Sequence, residues 1–188
     1  MEHLLDGGSE VRALLRVYAA ALVISMIASI GATAEPSRIN KSIYGFYLGE
    51  SKPSLIQRAR QEGIAYSQKG KLPDQLFPDS YLFKGSLDKS KLVEYVIVSF
   101  YRDYVGQVDI HLTDNSDRQF MQAAQVLDQS WNSFPGYSGQ SFGPMYIITV
   151  PEVLITLVKA KTGTHIAYVH RGLMRTHNEE RSKALARE

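Results

Sequence analysis

Leu92-Val-Glu-Tyr-Val-Ile-Val-Ser-Phe-Tyr101 and Val105-Gly-Gln-Val-Asp-Ile-His-Leu112, with Arg102-Asp103-Tyr104 between them, read as two strands and the turn of a hairpin. In the second strand Val108, Ile110 and Leu112 alternate with Gln107, Asp109 and His111. Successive side chains of a strand point to opposite faces, so the pattern predicts one buried face and one wet face. Further along, Met145–Val150, Val153–Val158 and Thr164–His170 read as three more strands, with Ala160–Gly163 as the last hairpin turn. Hairpin after hairpin favours antiparallel pairing over βαβ crossovers.

Helices flank these strands at matching places. Ile43–Tyr47 reads as a strand that turns at Gly49 into a helix, with Ser51 as N-cap and Pro53 in the first turn. Leu55, Ile56 and Ala59 share one face of that helix, and Gly63 is its stop. Residues 67–79 carry Gly70, Pro73 and Pro78 and read as a loop, followed by a short strand at Tyr81–Lys84. A second helix opens at Ser116, with Gln119 in the capping-box position and Phe120, Ala124, Leu127 and Trp131 as its core stripe. Pro135-Gly136 ends it. Residues 51–112 and 116–171 thus form two helix-plus-three-strand pseudo-repeats. The expected fold class is α+β, an antiparallel sheet with helices packed on one face.

The N-terminus carries an address. Arg12 and Arg16 precede the uncharged run Val17–Ile30, and Ala32-x-Ala34 is a small-x-small cleavage pattern. Residues 1–34 read as a signal peptide cut after Ala34, which makes the product periplasmic or secreted. The strongly apolar part is shorter than the roughly 20 residues a spanning helix needs, and membrane contact is expected only if this helix stays uncleaved. Residues 35–171 then form a single α+β domain, and the charged stretch 172–188 is a solvated helix or frayed tail. The chain has no cysteine, so neither disulfides nor a lipid-bearing Cys at the cut site are available to it. The formal net charge of +2 rises to +3 without the leader, which holds two basic and three acidic residues. No basic block with interleaved aromatics marks a nucleic-acid face.

The stretch Gly45-Phe-Tyr-Leu48-Gly49-Glu-Ser51, with its following helix, resembles the opening of small bacterial exported domains. The outer-membrane assembly lipoprotein of the β-barrel machinery and the tandem β-lactamase inhibitor proteins are of this kind. The similarity covers residues 43–112, and the second half echoes the plan. This chain lacks the anchoring Cys of the lipoprotein members. The resemblance implies a binding or scaffolding module, not an enzyme, and the shared positions are structural.

Catalytic grammar is sparse. No Gly-x-Ser-x-Gly elbow and no Gly-rich phosphate loop occur, and nothing calls for a cofactor. His3 falls in the leader and His177 in the tail. His165 and His170 sit five apart on one strand, hence on opposite faces, which removes a two-ligand strand site. Asp109, Asp114 and Asp117 lack the spacing of a calcium loop, so no metal is expected. Asp109 and His111 share a face. They frame the alternative, a signal-anchored envelope protein with a hydrolase-like site. The favoured reading is a non-catalytic module that binds an envelope protein or a small ligand. Its expected contact residues are Phe134, Tyr137 and Phe142, aromatics in a Gly/Ser-rich loop of the composition that recognition surfaces use.

Overall fold

The singled-out hairpin is the spine of the fold. In the computed structural model, which describes residues 38–72 and 75–187, β5 (Val93–Tyr101) and β6 (Tyr104–Leu112) pair antiparallel with Tyr101 opposite Tyr104. Only Arg102 and Asp103 form the turn, both at positive φ (49° and 63°). That is the geometry whose twist matches the flanking strands. The leader 1–34 and its cleavage site lie outside the described residues.

Before the hairpin come β1 (Ser42–Ile43), β2 (Phe46–Tyr47), β3 (Tyr66–Gly70) and β4 (Asp79–Phe83). After it come β7 (Ser138–Phe142), β8 (Met145–Val150), β9 (Val153–Ala160) and β10 (Gly163–His170). Eight of them form one antiparallel sheet in the order β3-β4-β5-β6-β10-β9-β8-β7. Two four-stranded meanders therefore meet at β6 and β10, the last strand of each. Each half holds four strands where three were expected. The added strand is the outer edge of each meander: β3, within the stretch read as a loop, and β7, within the Gly/Ser segment. Ladder bonds on one side hold them rather than burial, so their sequences need no apolar alternation. Ile43–Tyr47 is likewise a separate small hairpin of β1 and β2, not one strand. It turns at Tyr44 (φ 51°) and Gly45 (φ 83°), where a Cβ on Gly45 would sit 2.7 Å from Leu87 Cβ.

Two helices cover one face of the sheet. α1 (Lys52–Gln61) buries Leu55 and Ala59, and α2 (Asp117–Trp131) buries Phe120, Ala123, Leu127 and Trp131, all in one core with Val96, Val108, Leu157 and Tyr168. The Ser116 hydroxyl accepts the Gln119 N–H at 3.2 Å, as the sequence predicts. Ser51 makes no side-chain cap; its neighbour Lys52 donates its N–H to the Asp103 carbonyl instead, at 2.7 Å.

The charged C-terminal stretch is α3 (Arg171–Leu185), and it lies against the opposite face. Its His177 ring meets Phe77 and Tyr101, each at 5.4 Å, and Glu180 accepts from the Tyr101 hydroxyl and Arg102. Phe77 presses onto β6 at Gly106, where an added Cβ would come 2.3 Å from the ring. The face expected to be wet is therefore largely covered. Gln107 and Asp109 are only 5% and 8% exposed. Gln107 accepts the Leu76 N–H at 3.1 Å and donates to Asp109 at 2.7 Å, so these polar groups are buried with partners. Among the described residues no helix is long and apolar enough to cross a membrane.

Candidate functional site

Between α2 and the sheet lies a cavity of about 280 Å³. Ala123, Leu127 and Trp131 form its α2 wall, and Leu112 at the end of β6 and Ile166 on β10 form its floor. Ile43 and Tyr44 of the N-terminal hairpin close one side, with Asp88 and Leu92 at the rim. Two sequence features account for the gap. Ala123 carries a methyl where the rest of the stripe carries large side chains, and β1 and β2 are only two residues each.

Ser42, Asp88, Gln119, Gln122 and Ser130 bring polar side chains to the lining. Trp131 is fully buried, yet among the described residues its indole N–H has no hydrogen-bond partner. The side-chain amide nitrogen of Gln119, another lining residue, is also buried and unpartnered. Buried donors are nearly always paired, because leaving one unmade costs about 1–3 kcal/mol. The two residues lie twelve positions apart on α2, roughly 18 Å along its axis. The Trp131 ring is itself clamped, by Phe134 at 4.8 Å and by Tyr168 edge-on at 5.7 Å. Tyr168 in turn donates its hydroxyl to the Lys41 carbonyl at 2.8 Å. Asp88 supplies the one charge of the lining and is bound by Ser86 Oγ at 2.6 Å and the Ser90 N–H at 3.1 Å. Burial, and then the Asp88 charge, raise the Tyr44 hydroxyl above its ordinary pKa.

The expected contact residues do not form one patch. Phe134 is half-buried against Trp131. Tyr137 is half-buried too, and its hydroxyl donates to Asp128 on α2, which also accepts from Tyr146. Burial first, then the Asp128 bond, push the Tyr137 pKa upward, and the two hydroxyls hold Asp128 below the ordinary carboxylate range. Phe142 alone stands out, 52% exposed on β7.

Asp109 and His111 do share a face, but they are set for different tasks. Asp109 is tied to the Gln107 amide. The His111 ring stacks on Tyr95 at 4.1 Å and faces His165, its cross-strand partner, at 5.7 Å. Burial, then the neighbouring His165, lower the His111 pKa to about 4. Ser99 shares that face but pairs with Gln107, two rows from the His111–Tyr95 pair and about 13 Å along the strand. Its hydroxyl is engaged by Ser80 and Gln75. Among the described residues no group of three or more His, Asp or Glu is placed to hold a metal ion. Asp114 instead caps Ser116, and Asp117 pairs with Lys159.

Sequence reading missed three residues here. Trp131 was one more member of a core stripe and Gln119 one half of a capping box, although only the backbone half of that box forms. His165 was compared with His170 on its own strand, whereas its neighbour is His111 across the β6–β10 ladder. Comparison with protein families, curated proteins and solved structures finds no match for this chain.

Proposed function

We propose that this chain is an exported, non-catalytic binding module of the cell envelope whose ligand is a small apolar molecule seated beneath α2. One observation carries the reading: a cavity of about 280 Å³ between α2 and the sheet, with Ile43, Leu112, Leu127 and Ile166 in its walls and the polar side chains of Ser42, Asp88, Gln122 and Ser130 among them. Small-ligand seats have this make-up, apolar walls with a few fixed polar groups. The leader grammar of Arg12–Ala34 supports the envelope address, and the Gly45–Ser51 resemblance supports a module without chemistry of its own.

Filling the seat tests the reading. Trp131 is the sole tryptophan and lines the cavity, so its emission reports occupancy directly. Butyrophenone and n-butylbenzene are apolar probes of suitable size. At least one of them should bind one to one, with a Kd on the order of 10–1,000 µM for a ligand so small. Ala123→Phe, which places a ring in the cavity, should abolish that binding while the protein stays folded. Equal binding by wild type and the filled variant would move the site elsewhere.

A further inference from the structure

We infer that β7 is a self-association edge: it pairs antiparallel with β7 of a second copy of this chain, about a twofold axis at Gln140, and joins two eight-stranded sheets into one.

The two edges of the sheet are built differently. β3 carries the devices that keep an edge from pairing: a bulge between Gln68 and Gly70, and Lys69 with Lys71 just beyond its end. Two copies of β3 side by side would bring those lysines together. β7 has none of these devices. It pairs with β8 residue for residue, from Ser138 with Thr149 to Phe142 with Met145, and without a bulge. All of its residues are exposed, and it ends the sheet. From Gln129 to Pro151 the chain holds no charged residue. Along the outer side of β7, alternate residues therefore offer N–H and C=O groups to another strand, and no charge repels it.

The strand suits its own copy. A strand that pairs with itself must carry no charge that would meet its like, and β7 carries none. In the register about Gln140, Ser138 faces Phe142, Gly139 faces Ser141, and the two Gln140 side chains meet. Each of those amides both donates and accepts, so the pair can bond across the axis. Phe142, 52% exposed, is the one large apolar side chain of the edge, and it comes to lie beside the small Ser138 of the copy. On the opposite face a Cβ on Gly139 would run into the Tyr137 hydroxyl, and the copy brings only Ser141 alongside. The helix α2 packs over β9 and β8, inside the edge. A twofold contact uses one patch on both copies and closes at two.

A joint of five residues on each copy is small, so the dimer should be weak, with a Kd on the order of 100 µM. Sedimentation equilibrium on the protein in the form that cells accumulate, up to about 1 mM, should show the mass rising from one chain to two. Amide resonances of Ser138–Phe142 should move over the same range, and those of Tyr66–Gly70 should not. Gln140→Lys sets two ammonium groups against each other at the axis and should weaken the dimer about fivefold at low salt. Gln140→Glu should do the same with two carboxylates. An equal mixture of the two variants should associate at least as tightly as wild type, since each Lys then meets a Glu. Gln140 is exposed, so neither change touches the core. Ser67→Lys, on β3, should leave association unchanged.

A protein that stays monomeric at the highest concentration overturns the inference and leaves β7 to a strand of another protein. A dimer that Gln140→Lys leaves as tight as before overturns it as well, as does a mixture no tighter than either variant alone. A dimer weakened equally by Ser67→Lys puts the contact elsewhere and has the same force. None of these outcomes bears on the seat beneath α2.

Discussion

The two halves of the sheet share one plan, a helix followed by four strands with the last strand at the centre, yet they treat buried polar groups in opposite ways. In the first half each one among the described residues is answered. Glu50, 2% exposed, accepts from Ser54 and Arg58, and Arg58 reaches on to the Gly45 carbonyl at 2.9 Å. Ser80, Ser99 and Gln75 form a chain of hydrogen bonds on the other face. In the second half α2 leaves the Gln119 amide nitrogen and the Trp131 indole N–H buried without a partner among the described residues. A shared architecture fixes where helices and strands go. It does not fix whether each polar group buried between them is answered.

The sharpest way to break the comparison is to open the first half. Glu50→Ala would strand the Arg58 guanidinium, 29% exposed in its side chain, without the carboxylate it was built around. Losing one partner of a mostly buried pair should cost roughly 2–4 kcal/mol, read as a lower midpoint in urea unfolding. A loss below about 1 kcal/mol would mean that the Glu50 cluster is no keystone and that the halves differ less than their hydrogen bonds suggest.

How far the sequence disclosed this contrast follows from how local each feature is. The β5–β6 hairpin, the Ser116 cap and the α2 stripe were legible, save that Ala123 rather than Ala124 is its buried alanine, because turn chemistry and periodicity act over a few residues. The edge strands were not. Tyr-Ser-Gln-Lys-Gly in β3 and Ser-Gly-Gln-Ser-Phe in β7 carry no alternation, since neither strand buries a full face. The burial of Gln107 and Asp109 was hidden because α3 and Phe77, distant in sequence, supply the cover. Of the site, the stripe was legible but its function was not. A tryptophan in a core stripe looks the same whether or not its N–H is paired. The one local clue was Gln119, whose amide had another use open to it besides the capping box.

The seam between the halves carries the second prediction. His111 of β6 and His165 of β10 face each other across the central ladder, with Tyr95 stacked behind His111 and Asp109 one row away on the same face. The folded pKa of His111, about 4, lies below the unfolded value near 6.5. Between those values the unfolded chain binds a proton that the folded one refuses. The contribution is therefore complete above pH 6.5 and is lost as pH falls toward 4. Discounted for the solvent this ring still touches, the loss should be about 1–2 kcal/mol. Unfolding free energy followed from pH 7 to pH 4 should fall less steeply in His111→Phe than in wild type. Parallel curves would show that acid acts on some other group and that the histidine pair does not bear on how the halves hold together.

The smallest expected effect has the opposite sign and goes to the centre of the contrast. Replacing a buried, paired polar side chain by an apolar one strands its partner and destabilises the fold. Gln119 has no partner at its amide nitrogen to strand. Its backbone N–H still donates to Ser116, a bond the substitution leaves in place. Gln119→Leu should therefore leave stability unchanged or raise it by up to about 1 kcal/mol, since a desolvated amide gives way to apolar surface of similar length. Gln75→Leu is the matching change in the first half. It removes the acceptor of the Ser99 hydroxyl and should cost about 1 kcal/mol. Opposite signs in one thermal-denaturation series would establish that α2 carries a buried amide from which the fold gains no stability. If Gln119→Leu proves as costly as Gln75→Leu, the amide is satisfied in solution. The second half is then as closed as the first.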